Sequence, residues 1–595
     1  MPHKPPNAAR TRLPWSSCLA VGMLAVLIYL PTLGYEFTFD DSVIVERNPA
    51  VQELGRWKLI FFSDYWPAAH SALYRPLTTL SFAMERWVHG SRPAGFHLLN
   101  VILHAFTSAL VLLIAAELIG PGLGAVLAAA LFAAHPIHTE AVCGVVGRAE
   151  LLSSALALCA LYLCLRQGNN EKASRWTVAG ISLLFFLALC SKENVVILPV
   201  LLLLWELSRR TGQRAMVKLK RISRSPSFRG VLAAAAAFLL LRTAVFGGFR
   251  VSLVPNPPFV ENPLAYESSL TRILNAVVNQ AHGLRLHVFP HPLIADYSYQ
   301  TLERHSSWLD PGLLLMAALA ILILLVWTMR NQTAGNLAFA ASWYALAILP
   351  VSNIPFALGT IFGERLYYLP SAGFCLCVAV LWDRFAVRDR QGWSIPKTSS
   401  GKALMCAALA AVFALSTVTW LRNPTWQSNL TLFSDTVAKA PSNVKARLWL
   451  GDALVLSGNP AAGVAEYRKA LAIYPQYGGA AANLLVALTR TGKLEEAIEI
   501  GEKARTLLPQ QNETVLYNLA LVYLKVGNKA RFLQCIQDVL RINPQSDSAH
   551  LQLGMYYLQQ ERNGQEARMH LQEALRLNPD LPQAALIRQW LSQYR

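Results

Sequence analysis

Apolar runs long enough to cross a lipid bilayer dominate the first 422 residues of this 595-residue chain. Most of them contain about 17 to 25 residues that are nearly free of charge, and about 20 helical residues span the hydrocarbon core of a bilayer. Such runs predict helices that satisfy their own main-chain hydrogen bonds within lipid. We predict eleven spans, near residues 15–34, 97–119, 123–141, 150–166, 176–191, 194–208, 230–248, 311–329, 336–352, 365–382 and 403–421.

The positive charge of the chain follows the pattern of membrane topology. The net charge is +18, but the lysines and arginines lie in short loops between apolar runs, which favours membrane lipid over nucleic acid as a partner. With a cytoplasmic N-terminus and eleven spans, one side of the membrane holds the basic residues Lys4, Arg10, Arg12, Arg166, Lys172, Arg175, Arg209, Arg210, Arg214, Lys218, Lys220, Arg221, Arg224, Arg229, Arg384, Arg388, Arg390, Lys397 and Lys402.

One further segment, 271–293, is helical in pattern and fairly apolar, but it contains His282, Arg285, His287 and two prolines. If it crossed the membrane, the basic loop 383–402 would lie outside, against the positive-inside rule. We therefore predict a re-entrant or interfacial helix. An odd number of spans places the C-terminal repeats on the non-cytoplasmic side. The membrane that we predict is a bacterial inner membrane or the endoplasmic reticulum membrane.

The C-terminal part has an internal repeat. Prolines at 441, 475, 509, 544 and 579 recur at intervals of 34, 34, 35 and 35 residues, which is the period of the two-helix tetratricopeptide repeat (TPR) unit. Glycines at 458, 492 and 527 mark the turn inside each unit. The fold class is therefore all-α, a polytopic membrane bundle followed by an α-solenoid.

The predicted domains follow from these patterns. Residues 1–422 form the membrane domain, which includes a first external loop at 35–95 and a second large external loop at 249–310. Residues 423–443 are a linker or partial repeat. Residues 444–595 form a solenoid of about four repeats and a C-terminal helix.

Four residues occupy equivalent places in successive first helices of the repeats: Trp449, Asn483, Asn518 and Gln552, spaced by 34, 35 and 34. A carboxamide donates and accepts, so a row of them can pair with the main chain of an extended acceptor polypeptide. The alternative is that each asparagine bonds within its own repeat. The pattern leaves both interpretations open.

Ionisable residues cluster at the predicted external ends of the spans. Asp40 and Asp41 are adjacent in FTFDDSVIV, shortly after the first span. Adjacent carboxylates often are solvated or cap a helix, but ionisable groups at a membrane are costly and mark candidate sites. The same side holds His135, His138, Glu140, Arg148, Glu150, Lys192, Glu193, Glu364 and Arg365, which suggests one cavity.

This placement restricts the chemistry, because nucleotide sugars and ATP are normally cytoplasmic. A transferase on the outer side needs a sugar already carried across on a polyprenyl phosphate. Asp40 or Asp41 is the candidate catalytic base for the acceptor hydroxyl. The candidates for binding the donor phosphate are Arg365 with Glu364, Arg148, Lys192 and Arg75, supported by His135, His138, Glu140 and Glu193.

No cofactor is implied by these residues. His135 and His138 with Glu140 could hold a divalent ion, but we favour a hydrogen-bond network at a helix end and assign no metal site. Arg75 in LYRPLTTLSFAME has a structural alternative, the start of an interfacial helix.

Several phrases together resemble the transmembrane and tetratricopeptide repeat-containing O-mannosyltransferases. They are FTFDDSVIV, LYRPLTTLSFAME, GFHLLNVILHAFTSALV, HPIHTEAVCGVVGRAELL, CSKENVVILPVLLL, FPHPLIADYS and GERLYYLPSAGFC, in the family's order. The resemblance implies a GT-C type fold and inverting transfer of mannose from dolichyl or another polyprenyl phosphate to Ser or Thr. It also aligns Asp40 and Asp41 with the family's catalytic acidic motif. The repeats number about four, fewer than in many animal members, which leaves the acceptor open.

Two other functions remain as alternatives. One is transfer of a different lipid-linked sugar, and the other is a non-catalytic membrane scaffold that recruits proteins through its repeats. The presence of Asp40, Asp41 and Arg365 argues against a degenerate site. A transporter is disfavoured, because the charged residues gather at one face of the membrane instead of lining a path through its middle.

Overall fold

The computed structural model describes residues 13–66, 73–168, 173–209, 212–248, 257–305, 307–385, 387–388, 394–395, 399–508 and 512–593. Parts of the two predicted external loops, 67–72, 249–256 and residue 306, lie outside the described residues. So do several residues that the topology and repeat predictions used: Lys4, Arg10, Arg12, Lys172, Arg210, Arg390, Lys397 and Pro509.

The chain folds into two compact units, Met1–Lys439 and Ala440–Arg595. The described α-helices of the first unit are Trp15–Tyr29, Pro49–Gln52, Trp57–Phe62, Pro76–His89, Pro93–Ile119, Leu123–Ala134, Thr139–Cys143, Arg148–Gln167, Arg175–Ser191, Leu198–Ser208, Ala215–Arg224, Pro226–Phe246, Ser269–Val288, Pro311–Thr328, Gln332–Ile348, Tyr368–Asp383, Ser399–Arg422 and Asn429–Lys439. Shorter helical turns are Leu30–Gly34, Ser42–Glu46, Pro136–His138, Val145–Gly147, Glu193–Ile197, Pro263–Tyr266, Leu349–Val351, Glu364–Tyr367 and Asn423–Trp426. One two-residue hairpin pairs strands Val387–Arg388 and Ser394–Ile395.

Within the described ranges, eight helices are long and apolar enough to cross a membrane, so the chain is a multi-pass membrane protein. They are Trp15–Gly34, Pro93–Ile119, Val145–Gln167, Pro226–Phe246, Pro311–Thr328, Gln332–Val351, Glu364–Asp383 and Ser399–Trp426. The other three predicted spans are helical but shorter or bent. Leu123–Ala134 continues into Pro136–Cys143 with a bend of 46°, and Arg175–Ser191 and Leu198–Ser208 are shorter helices.

The bend and the short helices have a local cause. Pro136 has no N–H for the helical ladder, and its ring blocks continuation of the preceding helix. The chain is extended at Lys192, where φ is −159° and ψ is 135°, so the helix that precedes it stops there. Both breaks carry the polar residues that the sequence analysis selected.

Segment 271–293 forms most of the helix Ser269–Val288, which is not one of the eight apolar helices. Its buried face carries amides, including Asn275, Asn279 and Gln280. The side-chain oxygen of Gln280 accepts a hydrogen bond of 2.7 Å from the hydroxyl of Tyr367. A re-entrant or interfacial position remains a prediction for this helix.

The second unit is a TPR solenoid. Its described helices form four antiparallel pairs and a final helix: Val444–Leu456 with Pro460–Ile473, Gly478–Arg490 with Leu494–Leu507, Glu513–Lys525 with Lys529–Ile542, Asp547–Tyr556 with Gly564–Leu577, and Ala584–Gln593. A π-helical turn, Tyr557–Glu561, extends the seventh of them. Gly458, Gly492 and Gly527 have φ of +87°, +78° and +81°, the left-handed conformation that glycine adopts at lowest cost. The predicted turns are therefore where the sequence indicated.

Candidate functional site

The two adjacent aspartates have different surroundings. Asp41 is buried, with 1% of its surface exposed. Its carboxylate accepts hydrogen bonds from the main-chain N–H groups of Thr38 at 3.1 Å, Val145 at 3.2 Å and Val146 at 2.8 Å. Val145 and Val146 begin the helix Val145–Gln167, whose first N–H groups have no partner inside the helix. Asp41 therefore connects the loop that follows the first apolar helix to the start of the helix Val145–Gln167.

Burial raises the pKa of Asp41 to about 7, although the three main-chain donors favour its charged form. A carboxylate whose oxygens already accept three N–H bonds cannot turn to an acceptor hydroxyl without losing them. The geometry thus favours a structural role for Asp41 and separates it from its neighbour.

Asp40 is the accessible member of the pair. Its side chain is 16% exposed, and its Oδ2 lies 3.6 Å from Nη1 of Arg365. Within the described residues, this ion pair is its one side-chain interaction, so both oxygens retain capacity to accept a proton or a hydrogen bond. The arrangement suits a base that meets a substrate at the membrane surface.

Arg365 is held by Glu140. One oxygen of that buried carboxylate lies 2.8 Å from Nη1 of Arg365, and the other accepts the main-chain N–H of Arg365 at 2.8 Å. The guanidinium side chain remains 29% exposed. Glu140 therefore fixes both the backbone and the guanidinium of Arg365, with Nη1 near Asp40.

A second cation, Arg75, lies in the segment 35–95, between the first two apolar helices. The guanidinium of Arg75 donates to both oxygens of Glu193, at 2.8 and 3.2 Å, and stacks 5.0 Å above the ring of Tyr65. Burial alone would raise the pKa of Glu193, but the charge and hydrogen bonds of Arg75 lower it to about 2. The charges of Asp40 and Arg365 also act on the buried Tyr65. The pair of Arg75 and Glu193 therefore lies near the pair of Asp40 and Arg365.

Two other predicted phosphate ligands, Arg148 and Lys192, bind groups of the protein itself. Arg148 is fully buried and donates to the carboxylate of Glu85 at 2.7 Å, to the carbonyl of Phe96 at 2.7 Å and to the side chain of Asn100 at 2.6 Å. Lys192, 5% exposed, pairs with the carboxylate of Glu150. The structure does not support a donor-binding role for Arg148, because its donors are satisfied inside the protein.

Glu364 also has a supporting position. It is completely buried, and its carboxylate accepts from the main-chain N–H of Ile294 at 2.6 Å and from the hydroxyl of Tyr297 at 2.8 Å. Its other oxygen lies 3.3 Å from Nη2 of Arg422. A buried anion cannot bind a phosphate, so the structure gives no support to a direct contact between Glu364 and the donor phosphate. Glu364 instead fixes the chain immediately before Arg365.

The two histidines form hydrogen bonds at a helix end. His135 contacts the carbonyl of His287 at 2.9 Å, and His138 contacts the carbonyl of Phe132 at 2.8 Å and the hydroxyl of Ser371 at 2.7 Å. Glu140 is engaged with Arg365 instead. Within the described part of the chain, no group of three His, Cys, Asp or Glu residues is arranged to hold a metal ion.

The four equivalent TPR residues all lie on first helices of the pairs and are partly exposed. Asn483 donates to the carboxylate of Asp452 at 2.7 Å, and Asn518 donates to the carbonyl of Ala482 at 3.2 Å. Both bonds reach the preceding repeat instead of staying within one repeat. Among the described residues, the side-chain oxygens of Asn483 and Asn518 have no partner and can still accept from a peptide N–H.

Sequence reasoning missed residues that complete the site. Tyr65 and Glu85 lie in the segment 35–95, where Tyr65 stacks with Arg75 and Glu85 pairs with Arg148. Arg422 ends the last apolar run immediately before NPTW, and a cation at the end of a span is the one signal that could have revealed it.

The contrast between the aspartates gives a prediction for stability. Asp41→Asn should destabilise the protein by about 1–3 kcal/mol, the cost of a buried donor without an acceptor, because the new NH₂ group faces main-chain N–H groups. Its folded pKa of about 7 exceeds the ordinary 3.8. The contribution of Asp41 to the free energy of unfolding is therefore complete below about pH 4, and it declines as pH rises through 7.

Thermal unfolding of purified protein in detergent between pH 4 and 8 measures both effects. The wild type should lose stability across this range relative to Asp41→Asn. Equal melting temperatures for the two proteins at every pH would contradict the role of Asp41 as a structural anchor.

Comparison with known proteins gives two kinds of similarity. A family model described as tetratricopeptide repeat matches residues 430–478, 458–512 and 517–582. Among solved structures, a crystal structure of MamA matches 31% of this chain and 97% of its own, at 18% identity and a TM-score of 0.23. That score is too low to support an argument.

Similarity to curated proteins extends over the membrane unit. Protein O-mannosyl-transferase TMTC3 of Homo sapiens is 27% identical over 96% of this chain and 61% of its own length. Protein O-mannosyl-transferase F38B6.6 of Caenorhabditis elegans is 27% identical over 76% of this chain and 62% of its own. Protein O-mannosyl-transferase TMTC4 of Homo sapiens is 27% identical, with shares of 76% and 66%. The first two matches span about three fifths of each relative's length.

Proposed function

We propose that this chain is a membrane glycosyltransferase that moves mannose from a polyprenyl or dolichyl phosphate to Ser or Thr side chains of proteins. The observation that carries the proposal is the accessible carboxylate of Asp40, 3.6 Å from the guanidinium of Arg365. A base and an anion-binding cation side by side are what transfer from a sugar phosphate needs. The names of the similar proteins support the same reaction.

The reaction proceeds by a single displacement. Asp40 takes the proton of the acceptor hydroxyl. At the same time the oxygen of that hydroxyl attacks the anomeric carbon from the face opposite the phosphate. The bond between that carbon and the phosphate oxygen breaks, and the electron pair leaves with the phosphate. Arg365 stabilises the growing charge on the phosphate, with Arg75 as the second candidate cation. One displacement inverts the anomeric centre.

The proposed site lies on the non-cytoplasmic side, where a lipid-linked donor is the available form of activated sugar. The distribution of lysine and arginine among the loops supports this orientation. In a bacterium this side of the inner membrane is the periplasm, and in a eukaryote it is the lumen of the endoplasmic reticulum. The solenoid then lies on the same side as the acceptor protein.

A transfer assay tests the proposal. Purified protein in liposomes receives polyprenyl-phosphate mannose and a Ser- and Thr-containing peptide, with polyprenyl-phosphate glucose and GDP-mannose in parallel reactions. We expect α- or β-mannosyl peptide of the configuration opposite to the donor, and none from GDP-mannose. Transfer of only another sugar would replace mannose in the proposal, and a lack of transfer from every donor would favour a non-catalytic scaffold.

We expect the solenoid to bind the main chain of the acceptor polypeptide. The double variant Asn483→Ala with Asn518→Ala removes two carboxamide oxygens, and we expect roughly tenfold weaker peptide binding, since each hydrogen bond contributes about 0.5–1.5 kcal/mol. Fluorescence anisotropy with a labelled peptide measures the affinity.

The matched control is Asn459→Ala, which removes a helix cap on the second helix of the first pair. It should lower the melting temperature without changing the affinity. If the double variant melts at a lower temperature and binds peptide as tightly as the wild type, the two asparagines only join neighbouring repeats.

A further inference from the structure

Phe39, the residue before Asp40, has an unusual backbone conformation. Its φ is +53°, in the left-handed region that bulky side chains rarely adopt, and the residue is 6% exposed. Such strain persists only where surrounding contacts hold it, and it often occurs at functional sites. The contacts that hold Phe39 therefore determine the direction in which the next residue, Asp40, leaves the chain.

Two of those contacts come from a helix far along the sequence, Asn429–Lys439. The main-chain N–H of Phe39 donates to the side-chain oxygen of Asn429 at 2.7 Å. The ring of Phe39 packs edge-on against Phe433, with centroids 5.5 Å apart. Asn429 and Phe433 are four residues apart and so lie on the same face of the helix. This face of the helix therefore contacts both the backbone and the side chain of Phe39.

The other end of the same helix is tied to the residues around Arg365. Lys439 donates to the carbonyl of Leu293 at 3.2 Å, and the guanidinium of Arg422 donates to the same carbonyl at 2.6 Å. Asp435 lies 3.7 Å from Arg422, which in turn pairs with Glu364. The helix therefore contacts the loop before Asp40 at one end and, through Arg422, the residue before Arg365 at the other.

We propose that Asn429 is a positioning residue that sets the distance between Asp40 and Arg365. It does not touch the reacting groups. It holds Phe39 in its left-handed conformation, and the main-chain carbonyl of Asp40 then accepts from the N–H groups of Val43 at 3.1 Å and Ile44 at 3.0 Å. The inference rests on the proposed transferase function and adds a residue that sequence motifs do not indicate.

The variants Asn429→Ala and Asn429→Asp test this role. Alanine removes the acceptor for the Phe39 N–H, so Asp40 should move away from the cation. We expect kcat to fall about tenfold with the KM for the donor little changed, because the variant alters the position of the base and leaves the groups that bind the donor in place. Aspartate keeps an acceptor oxygen and should restore most of the rate.

The matched control is Asn336→Ala, which also removes a hydrogen bond between an asparagine side chain and the main chain: Asn336, in another part of the unit, donates to the carbonyl of Leu118 at 2.9 Å. This variant should keep kcat near the wild-type value, so a fall of kcat in the control as large as that in Asn429→Ala overturns the inference. So does an Asn429→Ala protein with the wild-type kcat. A wild type that transfers no sugar overturns the proposed function itself, and the two failures are therefore distinct.

Discussion

Replacing Asp40 by asparagine should lower the rate of sugar transfer roughly 10²-fold or more while the protein remains folded. The amide has nearly the same shape as the carboxylate, but it cannot take the proton of the acceptor hydroxyl. The side chain of Asp40 is partly exposed and its one contact among the described residues is the 3.6 Å approach to Arg365, so little stability depends on it. Initial rates in the liposome assay and melting temperatures in detergent measure the two quantities.

The control for Asp40→Asn is Glu53→Gln in the same loop. Glu53 pairs with Arg56 on the surface, and its side chain is 62% exposed, so its loss should affect neither rate nor stability. Asp41→Asn provides the opposite pattern, with a loss of stability that exceeds any specific loss of rate in the folded fraction. Full activity of Asp40→Asn, together with an inactive but stably folded Asp41→Asn, would reverse the assignment of the two aspartates.

The sequence was sufficient for features that depend on local patterns. Length and apolarity of a run predict a membrane helix, and the eight helices of the described chain that are long and apolar enough to cross a membrane follow such runs. The proline period and the glycines at 458, 492 and 527 predicted the helix pairs of the solenoid, because turn geometry depends on a few neighbouring residues. The bend at Pro136 and the break at Lys192 were harder to predict, since a short apolar helix and a full span have similar composition.

The pairing of charges could not be predicted, because it depends on distant parts of the chain. Asp40 and Asp41 are adjacent in the sequence, and in the structure the main-chain N–H groups of Thr38, Val145 and Val146 bind Asp41 and distinguish it from Asp40. Arg148 resembles a phosphate ligand until Glu85 is found against it. Composition gives the number of cations on one side of a membrane, but it does not reveal which of them have an internal partner.

Replacing Arg365 by lysine should lower kcat/KM for the donor by roughly 10² -fold, comparable to the loss of one preorganised donor to a developing anion. A guanidinium can bind Glu140 and still present further N–H groups to a phosphate, whereas an ammonium is a point charge. In the structure, Nη1 of Arg365 lies 2.8 Å from Glu140 and 3.6 Å from Asp40. A lysine that pairs with Glu140 would therefore leave the phosphate with a weaker partner.

Donor affinity measured with a non-transferable polyprenyl-phosphate analogue separates binding from chemistry. Arg56→Lys is the matched control, because Arg56 lies on the surface and pairs with Glu53. Glu140→Gln adds a second comparison: it removes the anion that orients Arg365 but leaves the guanidinium, so transfer should fall while analogue binding is retained or strengthened by the loss of a competing anion. If Arg365→Ala binds the analogue as tightly as the wild type, Arg365 serves only to pair with Glu140 and Asp40, and the phosphate must be held by another cation, for which Arg75 is the remaining candidate in the described loop.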